Sequence, residues 1–439
     1  YVRDRWLSQY SGILSGGASL GNMLDGDASH NMLTLTAPTG QSFFYMMGGL
    51  RFGLFFLLHP VRTLGMCYSF LSEIVEAFWD RARSRREGRA TVHEGIFPIV
   101  RALANVVLRE MQTVELLGDL FYGVPYIFTT YLGYDELGHH YGPASRPAME
   151  ALRYIDRRLG EIYNLVRFGA GRPYDLIVLS DHGLAESVTF QQRTGRTLGA
   201  FLLEALRKEG SRRVVVSGGR EERTLERAGE IVRRVEQYGL ARGRLLGRSL
   251  SRLARRLRQR YGEMDAWQAE KFFVSDDCEV VVTYTGPLAH LYFPEWEERV
   301  DGGTVRAEYP FLEQALIYSG QIGLVLMAEA DGRIRVAGPT GLAWLTPDGL
   351  AQEKGEDPLA GYGPREAVVG NLRELMARTN GGDVVVMGRL EADGKIVSFD
   401  DHVGCHGGFG GDQTSSFILA PEAWGVARFT NPRDLYGIL

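Results

Sequence analysis

Hydrophobic positions recur with two periods along the chain. Leu152, Ile155, Leu159, Ile162 and Val166 are spaced by three and four residues, which predicts an amphipathic helix from Ala148 to Val166 with one buried stripe. A similar pattern predicts a helix from Pro98 to Leu117. Short apolar runs rich in β-branched and aromatic residues predict strands at Val124 to Leu132, Tyr174 to Ser180, Cys278 to Tyr284, Ala289 to Phe293, Ile322 to Ala328, Asp383 to Met387 and Ser416 to Ala420. A strand, a helix and a second strand, with polar residues after each strand, form the βαβ pattern of a parallel sheet. The expected class is α/β, with a mostly parallel central sheet flanked by helices.

Two stretches depart from this plan. Ser42 to Phe78 is rich in Phe, Leu and Met, interrupted by Arg51 and by His59-Pro60, and neither apolar run reaches the roughly 20 residues of a spanning helix. The basic stretch Arg81 to Arg89 follows, so residues 43–90 read either as a membrane-surface or re-entrant segment anchored by arginines, or as a buried helical hairpin. Residues 204–268 are charged and read as a helical insertion. Between Arg242 and Arg260 they hold eight arginines and no acidic residue, with Leu246, Leu250, Leu253 and Leu257 on one face. Such a helix can pack its leucines on the domain, lie on anionic lipid or bind a phosphate-rich polymer. The expected organisation is thus residues 1–203 as the N-terminal part of the α/β domain, 204–268 as the insertion and 269–439 as the part that completes it.

Composition changes this picture little. A net charge of -5 over 439 residues points to no nucleic-acid partner. Cys67, Cys278 and Cys405 are widely spaced and form no CxxC, which removes a disulfide framework and a thiolate zinc cluster from consideration. Any metal chemistry must therefore use oxygen and nitrogen ligands. The sequence opens on Tyr1 inside what reads as a folded region, so the natural start is expected upstream.

Three polar clusters follow strand-like runs or sit in glycine-rich turns. Asp135 and His139 are four residues apart, so one helical turn can aim both at one cation. Asp181 and His182 are adjacent, and Gly183 allows the sharp turn that two consecutive ligands need. His406 lies in Gly404-Cys405-His406-Gly407-Gly408, where glycines permit backbone to approach an ion or a phosphate. Ligands in open α/β sheets bind outside the carboxyl ends of strands, which is where the first two clusters fall.

Taken in order, the segments Asp135 to Pro143 (DELGHHYGP), Leu179 to Gly183 (LSDHG) and Gly404 to Gly408 (GCHGG) resemble the alkaline phosphatase superfamily, and more narrowly its type I phosphodiesterase and nucleotide pyrophosphatase branch. The resemblance implies an alkaline-phosphatase-like fold and two divalent ions, zinc or else manganese, about 4 Å apart. It implies that Asp135, His139 and His406 bind one ion, and Asp181 and His182 the other. It also implies an earlier Asp and a Ser or Thr nucleophile. Ser19, Ser29 and Thr36 lie in the right direction along the chain but lack the expected strand-to-helix context, so the nucleophile is expected upstream of Tyr1.

The implied activity is hydrolysis of a phosphodiester or phosphomonoester, and the apolar and basic segments add the expectation of a small or lipid-linked substrate and a membrane-associated protein. Mutase, sulfatase and phosphoethanolamine-transfer chemistry share the same implied site. A catalytically silent, metal-stabilised protein at a membrane surface is the non-enzymatic alternative. His290 could reach a substrate phosphate or be a hydrogen-bonded core histidine. His140 is expected beside the site rather than in it, and Asp400, Asp401 and His402 are expected to form a solvated polar loop.

Overall fold

In a computed structural model, residues 12–22, 24–34, 55–86, 97–206, 213–218, 278–346 and 349–425 are described. The chain divides into two compact units, one of residues 1–181 and 416–439, the other of residues 182–415.

The first unit is built on a short parallel sheet. Strands β1 (Ala18–Leu20) and β2 (His30–Met32) pair in parallel, and β3 (Ile127–Thr129) lies parallel on the other side of β1. Helix α1 (Pro60–Arg86) is followed by α2 (Phe97–Ala102), a π-helical turn at Leu103–Leu108, and α3 (Arg109–Tyr122). The predicted helix at 98–117 is therefore present, extended and interrupted by the π turn. Gly123 ends α3 in the left-handed conformation that glycine adopts without penalty. After β3 come α4 (Gly133–Tyr141) and α5 (Arg146–Phe168). Helix α5 is the predicted helix at 148–166, and it begins where Ser145 caps Ala148 N–H with Pro147 in its first turn. Its Ile162 joins Leu20, Met32, Met111 and Leu120 in the core of the unit.

The predicted strand at 174–180 is reduced to β4 (Val178–Leu179). It pairs antiparallel with Ile418–Leu419 rather than adding to β3, so the expected βαβ crossover is not formed among the described residues.

The second unit carries an eight-stranded sheet. Strands β6 (Arg213–Gly218), β7 (Cys278–Thr285), β8 (Leu288–Tyr292), β9 (Ile322–Ala328), β10 (Ile334–Ala337), β11 (Gly341–Thr346), β12 (Gly349–Gly355) and β13 (Val384–Gly388) lie in the order β12-β11-β10-β9-β13-β8-β7-β6. Every neighbouring pair is antiparallel except β6 with β7. This corrects the expectation of a mostly parallel central sheet while keeping the mixed α/β class. The two-residue link Gly286-Pro287 returns the chain directly from β7 to β8, and such a link can only join antiparallel neighbours.

Alternation along the central strands defines two cores. Val384 and Val386 of β13 pack with Val325 and Met327 of β9 in one cluster, whereas Val385 and Met387 pack with Leu324 and Leu326 in the other. The first cluster includes Leu202 from helix 198–205, Val305 from helix 302–308 and Leu316 from helix 312–318. The second is covered by Val368, Leu372 and Met376 of helix 365–376. Of the expected helical insertion at 204–268, residues 213–218 are instead strand β6, as their three consecutive valines favour. Residues 219–268, with the arginine-rich stretch, lie outside the described residues.

Candidate metal centre

In the first unit, the chain leaves β3 and enters α4 at Gly133, where a Cβ would stand 2.2 Å from Asn105 Oδ1. Any larger residue would push the Asn105 side chain aside, so glycine lets α4 lie close to the π-helical turn. One turn of α4 aligns Asp135 and His139, with Asp135 Oδ1 3.2 Å from His139 Nε2. His139 is buried and Asp135 is partly buried. Tyr134 donates to Pro143 O at 3.1 Å, and burial together with the neighbouring Asp135 charge raises its hydroxyl pKa. The sequence expectation that these two side chains share a helix face is met.

Asp181 is exposed at the end of the first unit. His182 opens the second unit, half-buried, with Nδ1 3.0 Å from Gly183 O. A Cβ on Gly183 would lie 1.9 Å from Asp412 O and 2.7 Å from Ser415 O, so the close passage of two backbone segments requires a glycine there. Within this unit His182 and His406 are stacked, ring centroids 3.5 Å apart and planes 18° from parallel. Two motifs more than 200 residues apart in sequence thus meet. Gly407, with φ 103°, turns the chain immediately after His406.

Strands β5 (Ala185–Thr189), β14 (Ile396–Ser398) and β15 (Gly404–Cys405) form the small sheet that carries these residues. Asp400 follows β14 and is buried, its Oδ2 accepting Gly286 N–H at 2.6 Å. It therefore fastens the β7–β8 turn to the site-bearing sheet. His402 is also buried, and its carbonyl accepts the Ser187 hydroxyl at 2.8 Å. The expected solvated loop is corrected on this point: Asp401 alone of the three is exposed. Cys405 is buried beside Ser398, Oγ to Sγ 3.5 Å.

His290 lies on β8, where Nδ1 accepts Gly382 N–H at 3.0 Å and the ring stacks on Tyr292. Burial and the nearby Arg299 charge lower its pKa. Ser19 lies within β1, fully buried, accepting from Asn22 Nδ2 at 2.9 Å and donating to Leu24 O at 3.3 Å. Ser29 donates to Gly17 O at 3.2 Å, and Thr36 lies outside the described residues.

The sequence reading missed a further group of ligand-type side chains in the first unit. His30 Nε2 is 3.3 Å from Glu115 Oε1, and His30 Nδ1 is 3.3 Å from Asp119 Oδ2. Glu115 and Asp119 sit four apart on α3, so helical spacing was the signal available. The histidine bridges the two carboxylates and so links β2 to α3, and the three groups lie close enough together to hold a metal ion.

Residues 76–242 match the family model of type I phosphodiesterase / nucleotide pyrophosphatase, within the alkaline phosphatase superfamily. That span includes Asp135, His139, Asp181 and His182 and stops before His406. No curated protein and no solved structure matched the chain.

Proposed function

From the match of residues 76–242 to the type I phosphodiesterase / nucleotide pyrophosphatase family model, we propose that the chain is a metal-dependent hydrolase of phosphodiester or phosphomonoester bonds. The observation that carries the reading is the convergence of His182 and His406 to a 3.5 Å stack, with Asp135 and His139 paired at 3.2 Å in the other unit. Carboxylate and imidazole are the donors that zinc and manganese sites use, and no thiolate is required. The donor set therefore fits divalent ions. Asp135, His139, Asp181, His182 and His406 are the proposed ligands.

When bound, such ions supply Lewis-acid stabilisation of phosphoryl oxygen charge and lower the pKa of an attacking hydroxyl. The chain's own residues do the positioning. The α4 backbone fixes the Asp135–His139 spacing, Gly183 sets the direction of His182, and Gly407 leaves open backbone beside His406 for a phosphoryl group. Asp400 supports this arrangement indirectly by holding the β7–β8 turn. A small or lipid-linked phosphate ester is the proposed substrate.

The test is hydrolysis of bis-p-nitrophenyl phosphate by this chain and by one extended upstream of Tyr1, before and after chelation. Turnover in the longer protein that disappears with a chelator, returns with zinc or manganese and is lost in His182→Ala supports the proposal. Turnover indifferent to chelation, or none in either protein, refutes it.

A further inference from the structure

Helix α1 turns an apolar stripe outward. Its 27 residues span about 40 Å, and its inner face carries charged side chains beside Met66, Phe70 and the buried Ala77. Glu73 and Asp80 accept from buried Arg101 at 2.8 and 2.9 Å, and Arg62 pairs with Glu110 at 2.9 Å. The opposite face is apolar. Val61, Leu64, Tyr68, Leu71, Val75 and Phe78 recur at alternating spacings of three and four, and each is between 53% and 84% exposed. Trp79, also exposed, widens the stripe near its C-terminal end. A continuous apolar face of this length on a soluble surface marks an interaction site.

Three features select the occupant. First, the helix ends in Arg81-Ala82-Arg83-Ser84-Arg85-Arg86, with no acidic residue in the run, and Arg83 and Arg86 are exposed. On a helical projection Arg86 falls within the apolar side and Arg83 at its edge, complementary to an anionic headgroup layer. Second, Tyr68 and Trp79 have the amphipathic rings favoured at a membrane-water interface. Third, the positions flanking the stripe do not carry the Glu/Lys pairs of a coiled-coil seam. They are Gly65, Cys67, Ser72 and Ile74, none of them charged. Glu76 stands on the rim, and its carboxyl pKa is raised by burial and by Glu73. No helix among the described residues is long and apolar enough to cross a membrane, so the charged side chains of the inner face keep α1 in the plane.

We propose that α1 lies along an anionic lipid surface, its Val61-to-Trp79 face among the acyl chains and Arg83 and Arg86 at the headgroups. The inference rests on the polarity of this helix and is independent of the hydrolytic reading.

The experiment is co-sedimentation of the full chain with vesicles of phosphatidylcholine alone and of phosphatidylcholine mixed with phosphatidylglycerol. The chain is expected to bind the mixed vesicles in preference, and Leu64→Glu with Leu71→Glu to reduce that binding by about tenfold or more, with circular dichroism unchanged because both side chains are exposed. Arg83→Gln with Arg86→Gln is expected to reduce the preference for phosphatidylglycerol. A second reading needs no apolar substitution: brominated acyl chains should quench a fluorescence component that Trp79→Phe removes. Absence of vesicle binding, binding unchanged in the double glutamate variant, or quenching unchanged in Trp79→Phe overturns the proposal. So does a concentration-dependent dimer that the double glutamate variant dissociates in the absence of lipid, which would assign the face to a second copy.

Discussion

The second unit and helix α1 of the first treat apolar side chains differently. The second encloses a sheet whose central strands are apolar on both faces, Val384 to Met387 feeding two cores by simple alternation. The first encloses a guanidinium, Arg101, between Glu73 and Asp80, and leaves the apolar face of α1 to solvent. Burial acts against the Arg101 charge, yet Glu73 and Asp80 hold its pKa above the ordinary value. The lesson is that the apolar content of a segment does not say which way it faces. In the second unit hydrophobic residues mark the interior, and in the stripe of α1 they mark the outside.

The contrast can be broken most severely at the ion pair. Arg101→Ala leaves Glu73 without its buried counter-charge and should destabilise the first unit by about 3–5 kcal/mol, measured by urea unfolding. In the second unit the equivalent lesion is a cavity: Leu326→Ala should cost about 2–5 kcal/mol by the same measurement, and should do so equally at low and high salt. If salt dependence were the same for both variants, the two units would not differ in the way described.

Gly183→Ala is expected to have a smaller effect, about 1–3 kcal/mol, because the new methyl meets the Asp412 and Ser415 carbonyls and one backbone segment must give way. The smallest effect concerns pH. The folded-state pKa of His290 is depressed, so the unfolded chain takes up a proton first on acidification. Its contribution is present above the ordinary histidine range and is lost as pH falls through that range to the folded value. The melting temperature of the second unit should fall with acidification over that interval, and His290→Gln should flatten the slope.

Much of this organisation was legible in sequence. Helix α5 extends the predicted stripe by two residues at each end, and β9 coincides with Ile322 to Ala328, because long periodic or continuous apolar segments carry their own signal. Strand direction was not legible, since Val384 to Met387 reads the same beside a parallel or an antiparallel neighbour. The Gly286-Pro287 link was the clue to antiparallel pairing. Local chemistry was equally mixed. The Asp135–His139 spacing gave its geometry directly, whereas the burial of Asp400 depends on a backbone N–H more than 100 residues away. The outward face of α1 was hidden for a similar reason, because its direction is fixed by Arg101 and Glu110 on other helices.

The central proposal is that Asp135, His139, Asp181, His182 and His406 act as ligands to divalent metal. It is tested most directly by measuring metal content by mass spectrometry after zinc or manganese loading and dialysis, for the unaltered chain and for His139→Ala, His182→Ala and His406→Ala. The account predicts retained metal in the unaltered chain and affinity lower by about 10–100-fold or more in each variant, with circular dichroism preserved. A chain that retains no metal, or variants that retain it as well as the unaltered protein, would contradict the account.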